Sequence, residues 1–133
     1  MALISLKRQK DFNHIRQQGV KAVTKGFILL AYTHSPSENG TYPSDQRIGI
    51  IASKKVGNAV FRNRIRRRLK ALLRQILPHC AKNGTDYLFI ARTVSYDRSF
   101  LQLEKDLRYA LHQTNTFAHR PQSMLEKTNP SSL

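Results

Sequence analysis

The sequence predicts one α+β domain: a small four-stranded sheet packed with three helices, in the order α-β-β-β-α-β-α. Three observations point there. Short strand-like apolar runs flank a long segment of helical period, turn-forming residues punctuate the boundaries, and 40% hydrophobic residues in a chain of 133 suffice for a single modest core. No internal repeat and no linker interrupts residues 6–116.

At the N-terminus, Leu6, Phe12 and Ile15 share one face of a short helix, and Gly19 is expected to end it as a left-handed C-terminal residue. Val20 to Val23 reads as a short strand and Phe27 to Tyr32 as a stronger one. The stretch SPSENGTYPSD is rich in turn formers, with Asn39-Gly40 the expected reversal of a hairpin; Arg47 to Ser53 is the buried strand that follows. From Asn58 the period changes. Phe61, Ile65, Leu69, Leu72 and Ile76 recur at helical spacing, Asn58 supplies an N-cap side chain, and Pro78 is expected to end the helix. Lys82-Asn83-Gly84 turns the chain into a strand at Tyr87 to Ala91. Ser99 and Gln102 form a capping box for the last helix, whose stripe is Phe100, Leu103, Leu107, Ala110 and Leu111. Residues 1–118 make up the domain, and residues 119–133, without periodicity or apolar density, are expected to be a mobile tail.

Charge narrows the function. Lys and Arg total 23 against 8 Asp and Glu, a net +15 that repels itself until a polyanion neutralises it. The excess is concentrated: between Asp45 and Asp86 there is no acidic residue, yet there are eleven Lys or Arg. On a helix advancing 100° per residue, Asn63, Arg66, Arg67, Lys70 and Arg74 gather opposite the apolar stripe, while Arg62 and Arg68 border it on either side. An ordinary solvated helix intersperses Glu among its cations to form i,i+4 pairs, and this one has none. Arginine outnumbers lysine six to one within it, which favours bidentate clamping of phosphate.

Other chemistry is poorly supported. Cys80 is the only cysteine, which excludes an internal disulfide, suits a reducing compartment and reads as a half-buried thiol. The N-terminal apolar run is too short for a signal peptide, and no segment approaches a membrane span, so a cytoplasmic protein without membrane contact is expected. A protein-only nuclease would need converging carboxylates or paired histidines. Glu104 and Asp106 are close in sequence but on different helix faces, and His14, His34, His79, His112 and His119 show neither that pairing nor a zinc pattern. Neither catalytic residues nor metal ligands are assigned.

Ser53 to Lys70, SKKVGNAVFRNRIRRRLK, closely resembles the signature of the bacterial ribonuclease P protein component: a Lys-Lys pair after a strand, Gly-Asn-Ala-Val opening a helix, then Arg-Asn-Arg. The resemblance spans about Leu6 to Phe117 and includes Asp11-Phe12 and Ile90-Ala91-Arg92. It implies a left-handed β-α-β crossover through the basic helix. It also implies a subunit of an endoribonuclease whose RNA is the catalyst, removing the 5′ leader of precursor tRNA, with Mg2+ required by the holoenzyme and the protein inactive alone. Its partners would be the catalytic RNA and precursor tRNA, with no obligate protein partner. By the same resemblance, Arg62, Asn63, Arg64, Arg66, Arg67 and Lys70 would face the catalytic RNA. The leader would lie in a cleft between the first helix and the sheet, against Phe12 and Arg92; Lys54 and Lys55, at a strand end, are expected to place cations at the cleft mouth, and Arg16 and Tyr32 are expected to add contacts of this chain's own. Phe12 has an alternative role in core packing beside Ile15. Two positions depart from the family pattern: Arg16 replaces a second aromatic on the first helix, and Leu30 stands where the sheet often carries one, with Tyr32 of the same strand parity as a partial substitute. The competing reading is another basic RNA-binding module, such as a ribosomal protein or an RNA chaperone. A DNA-reading helix has no support from a dimer interface or base-reading side chains.

Overall fold

The computed structural model describes residues 3–6, 8–35 and 46–116; the Asn39-Gly40 reversal and residues 119–133 lie outside them. The elements are β1 (Leu3–Ser5), α1 (Gln9–Gln18), β2 (Val20–Val23), β3 (Phe27–Thr33), β4 (Gln46–Ile51), α2 (Ala59–Cys80), β5 (Thr85–Ala91) and α3 (Phe100–Gln113). Two 3-10 turns, Lys54–Val56 and Thr93–Tyr96, follow β4 and β5. The three helices and four expected strands keep the order α-β-β-β-α-β-α. Leu3–Ser5 adds a fifth strand at the edge, parallel to β4 with Leu3 opposite Gln46. Three residues are too few to carry a period, so no pattern announces this strand.

Strand pairing departs from the expected hairpin. Among the described residues the sheet order is β1-β4-β5-β3-β2, so β3 and β4 are not neighbours. β5 separates them, antiparallel to β3 from Phe27 opposite Ala91 to Thr33 opposite Thr85, and parallel to β4 from Arg47 opposite Asp86 to Ile51 opposite Ile90. Nearly every residue of β5 is buried, which suits the centre of a sheet covered on both faces. α2 is therefore the crossover joining parallel neighbours.

Alternate side chains divide between two layers. Phe27, Leu29, Ala31, Ile48, Tyr87 and Phe89 pack with α2 and α3 in the larger core. Leu30 and Leu88 pack with Leu6 and Ile15 beneath α1.

The helix ends follow the sequence with instructive exceptions. The Asn58 side chain accepts from Phe61 N–H at 3.1 Å, and Ser99 and Gln102 cap each other's N–H groups at 3.1 and 2.9 Å. α2 does not stop at Pro78 but runs to Cys80. A proline this close to the end deletes only one helical hydrogen bond, and the last carbonyls find other donors. Buried Gln46 of β4 gives its side-chain Nε2 to Leu77 and Ala81 carbonyls at 3.3 and 3.0 Å. Gly19 is extended (φ −78°, ψ 160°), not left-handed, because α1 passes straight into β2. What the position needs is smallness: a Cβ would lie 2.5 Å from the Ile15 carbonyl oxygen. Two stripe residues also leave the core. Phe61 is 39% exposed and Phe100 38%, both in the first turn of their helices. Cys80 is buried rather than half-buried. No helix among the described residues is long and apolar enough to cross a membrane.

Candidate RNA interface

α2 carries its cations on two distinct surfaces. Asn63, Arg66, Arg67 and Lys70, with Val60, line an open hollow of about 510 Å³ on the side away from the core. This is the group the helical wheel assembles, without Arg74. Arg66 is partly ordered: it donates to Asn63 Oδ1 at 3.2 Å and to the Ala52 carbonyl at 3.3 Å, tying the helix to the segment after β4. Arg67 and Lys70 are exposed. Among the described residues no carboxylate pairs with this face, so its field is available to phosphates.

The other surface looks toward the second 3-10 turn. Arg64 donates to the Tyr96 hydroxyl at 2.6 Å, and its guanidinium carbon lies 5.6 Å from the centre of the Tyr96 ring. Arg68 donates to the carbonyls of Ser95 and Tyr96 at 3.1 and 2.8 Å and to that of Arg98. Arg62 is half-buried, and its Nε is enclosed without a hydrogen-bond partner. The six α2 residues assigned to the RNA thus divide into four around the hollow, one on the opposite flank and one partly withdrawn.

Phe12 lies over β4. The ring sits so close that a Cβ on Gly49 would collide with its Cε1, which glycine alone permits. Phe12 is half-buried and packs against the small α1 core, yet it also lines a groove of about 160 Å³ with Ser5, Leu6, Ile50, Arg66 and Lys70. Phe12 thus contributes to the packing and at the same time fronts an open groove. Arg66 and Lys70 border the α2 hollow and this groove alike, which makes the two surfaces continuous.

The remaining residues assigned to the leader do not assemble in one place. Lys54 and Lys55 are exposed on the 3-10 turn beyond β4, three residues past the strand end. Arg92 follows β5 at the same end of the sheet, donates to the Thr24 carbonyl at 2.7 Å and borders a hollow of about 280 Å³ with Lys25, Val94 and Arg98. Arg98 is bound to Asp106 by two hydrogen bonds of 3.1 and 2.8 Å, so Lys25 and Arg92 carry the open charge there. Sequence reasoning does not single out Lys25; its place beside Gly26 in the β2–β3 turn is the available signal. Arg16, four residues after Phe12, is exposed in the last turn of α1.

Tyr32 is at the far end. It pairs with Asp86, whereas Ala91, next to Arg92, pairs with Phe27. Five strand positions separate them, about 17 Å. Tyr32 is wedged between His14 and His34, edge to face, with ring centres 4.6 and 5.1 Å away. Beside it, buried Asp86 accepts from Arg47 Nε and Nη2 at 2.8 and 2.6 Å and lies 2.8 Å from His34 Nε2. These hydrogen bonds to Asp86 raise the pKa of Arg47, so this cation is committed to the fold. Among the described residues no three His, Cys, Asp or Glu side chains converge as a metal site.

Comparison with known proteins decides between the RNA-binding classes that charge leaves open. The family model described as Ribonuclease P matches residues 2–115. The chain belongs to the ribonuclease P protein family. It is 38% identical over 107 residues to the ribonuclease P protein component of Paramagnetospirillum magneticum, covering 80% of this chain and 78% of that one. It is 35% identical over 112 residues to that of Desulforamulus reducens, covering 84% and 92%. Its fold matches the Staphylococcus aureus RNase P protein with TM-score 0.67 and 27% identity over 85% of this chain and 96% of that one. The Thermotoga maritima RNase P protein shares the fold at TM-score 0.64 and 22% identity, over 79% and 92%. As a ribonuclease P protein component, the chain is a subunit of the tRNA-processing endoribonuclease and works with the ribonuclease P RNA. The ribosomal-protein and RNA-chaperone readings fall away.

Proposed function

We propose that the Asn63, Arg66, Arg67 and Lys70 face of α2 holds the catalytic RNA, and that the adjoining groove over β4 guides the 5′ leader of precursor tRNA past Phe12. The observation that carries this reading is the continuity of the two surfaces. Arg66 and Lys70 border both, so one pair of cations can hold RNA and substrate strands in fixed relation. Guanidinium forks on α2 bind phosphate oxygens bidentately, and each contact releases counterions. The Phe12 edge offers a base an apolar neighbour. Lys54, Lys55, Lys25 and Arg92 extend positive potential along the exit end of β4 and β5. Tyr32 and its histidines stand apart and act as structural support for α1.

In this reading the protein supplies binding and alignment, and the RNA supplies the chemistry. The carboxylates of Asp11, Asp86, Glu104 and Asp106 all face arginines. Asp97 is the described carboxylate outside these pairs, and in this reading the holoenzyme's Mg2+ is held by the RNA. Position in the cytoplasm accords with this role.

Reconstitution tests the proposal. The protein alone is expected to leave precursor tRNA intact, and adding it to the cognate RNA is expected to restore 5′ cleavage at low magnesium. Cleavage by RNA-free protein would overturn it.

A further inference from the structure

Phe61 is the residue of the α2 stripe that the core does not absorb. Ile65 and Leu69, one and two turns on, are 1% and 0% exposed, whereas Phe61 is 39% exposed. Its ring centre lies 4.5 Å from that of Tyr96, tilted by 58°. The partner ring is firmly placed. Arg68 grips the carbonyls of Ser95, Tyr96 and Arg98, and Ser95 accepts from Arg92 N–H at 2.9 Å. Arg64 is exposed and commits one of its five N–H donors to the Tyr96 hydroxyl at 2.6 Å, which leaves the others without a protein acceptor among the described residues. An exposed Phe61 ring backed by the half-buried Tyr96 ring, which the core holds in place, and flanked by an arginine with uncommitted donors, has the chemistry of a nucleobase platform with a phosphate clamp.

We propose that Phe61 and Tyr96 stack an unpaired base of the catalytic RNA while Arg64 holds its phosphate. The inference rests on the reading of α2 as the RNA-facing helix. Catalytic RNA is the occupant, not the leader, for two reasons. Phe61 and Arg64 continue the acid-free surface of α2 around from Arg67, and α2 and α1 pack in separate cores on opposite faces of the sheet. The platform therefore extends the RNA contact to a second flank of α2, read by stacking rather than by charge alone.

The chain contains no tryptophan, so Phe61→Trp introduces a single indole fluorophore at the platform. Titration of this variant with catalytic RNA alone should quench its emission. Emission that stays unchanged on saturation, or that changes only when leader-bearing precursor tRNA is added, overturns the proposal. Phe61→Leu, which keeps apolar cover but removes the aromatic face, should weaken RNA binding about 10-fold. Its slope of log affinity against log salt should match the parent, because every cation that meets a phosphate is still in place. Unchanged affinity also overturns it. The double variant Arg66→Ala, Arg67→Ala separates the two levels. If it binds RNA weakly while Phe61→Leu binds normally, the platform alone is wrong; if neither variant weakens binding, the assignment of α2 fails as well.

Discussion

Arg67 and Arg68 are consecutive on α2, about 100° apart around the axis, and their surroundings could hardly differ more. Arg67 stands exposed at the rim of the hollow shared with Asn63, Arg66 and Lys70. Arg68 is half-buried, its donors engaged by three carbonyls of the chain between β5 and α3. The first stays hydrated until phosphate arrives; the second already has protein oxygens in the place of phosphate. Arg47, held by Asp86, belongs with Arg68. A count of cations between Asp45 and Asp86 therefore overstates the RNA-binding surface, and the quantity that matters is the number of donors the fold leaves uncommitted.

The contrast is broken most directly by removing Arg68. Three charge-assisted hydrogen bonds vanish at once, so Arg68→Ala should destabilise the fold by about 3 kcal/mol and lower Tm by roughly 10 °C. The protein that remains folded should bind RNA with an unchanged salt slope. Urea unfolding and a salt titration measure the two, and a variant with normal stability but a shallower slope would exchange the roles of the two flanks.

Tyr87 sharpens the contrast by pH. Burial pushes its phenol up to about 12, although its hydroxyl accepts from Lys82 N–H at 3.2 Å beside the C-terminus of α2. In the unfolded chain the phenol ionises near 10. The stability it contributes is therefore complete below pH 10 and lost as pH rises toward 12, by roughly 2–3 kcal/mol. Tyr87→Phe should remove that alkaline loss at a cost of about 1 kcal/mol from the missing hydrogen bond. Equal alkaline unfolding in both proteins would place the responsible group elsewhere.

For the open face, Arg66→Ala with Arg67→Ala should reduce the salt slope by about one unit for each phosphate left without its cation, with little change in Tm. A fall in stability at constant slope would assign these side chains to the Arg68 kind.

Local rules were legible wherever neighbours in sequence are neighbours in space. The Asn58 cap, the Ser99–Gln102 box and the Ile65, Leu69, Leu72, Ile76 stripe all depend on positions within one or two turns, and each stands in the structure. Pairing partners were legible only in part: the crossover through the basic helix joins β4 to β5, which do pair in parallel, but the place of β3 was not legible. Nothing in Phe27–Thr33 or Gln46–Ile51 announces that β5, more than thirty residues further on, will separate them. The same division runs through the site. Periodicity gathers Asn63, Arg66, Arg67 and Lys70 correctly on one face, but it carries no sign that a 3-10 turn beyond β5 meets Arg64 and Arg68. Tyr32 joined the leader group through strand parity with Leu30, and parity fixes the face of a sheet but says nothing of the distance along it from Arg92.

Phe12 gives the smallest effect and the finest distinction, since its ring belongs to both worlds: it packs over Gly49 and opens on the groove shared with Arg66 and Lys70. Phe12→Leu should keep most of the packing, with a stability change under about 1.5 kcal/mol, and remove the stacking edge. A base stacked there contributes about 1–3 kcal/mol, and the half-buried ring presents only part of its face, so the lower end applies. The assembled holoenzyme should then lose several-fold in affinity for leader-bearing precursor tRNA and almost nothing for mature tRNA. Equal losses for the two ligands would return Phe12 to packing alone. The leader would then be held entirely by cations, and its binding would become as steeply salt-dependent as that of the α2 face.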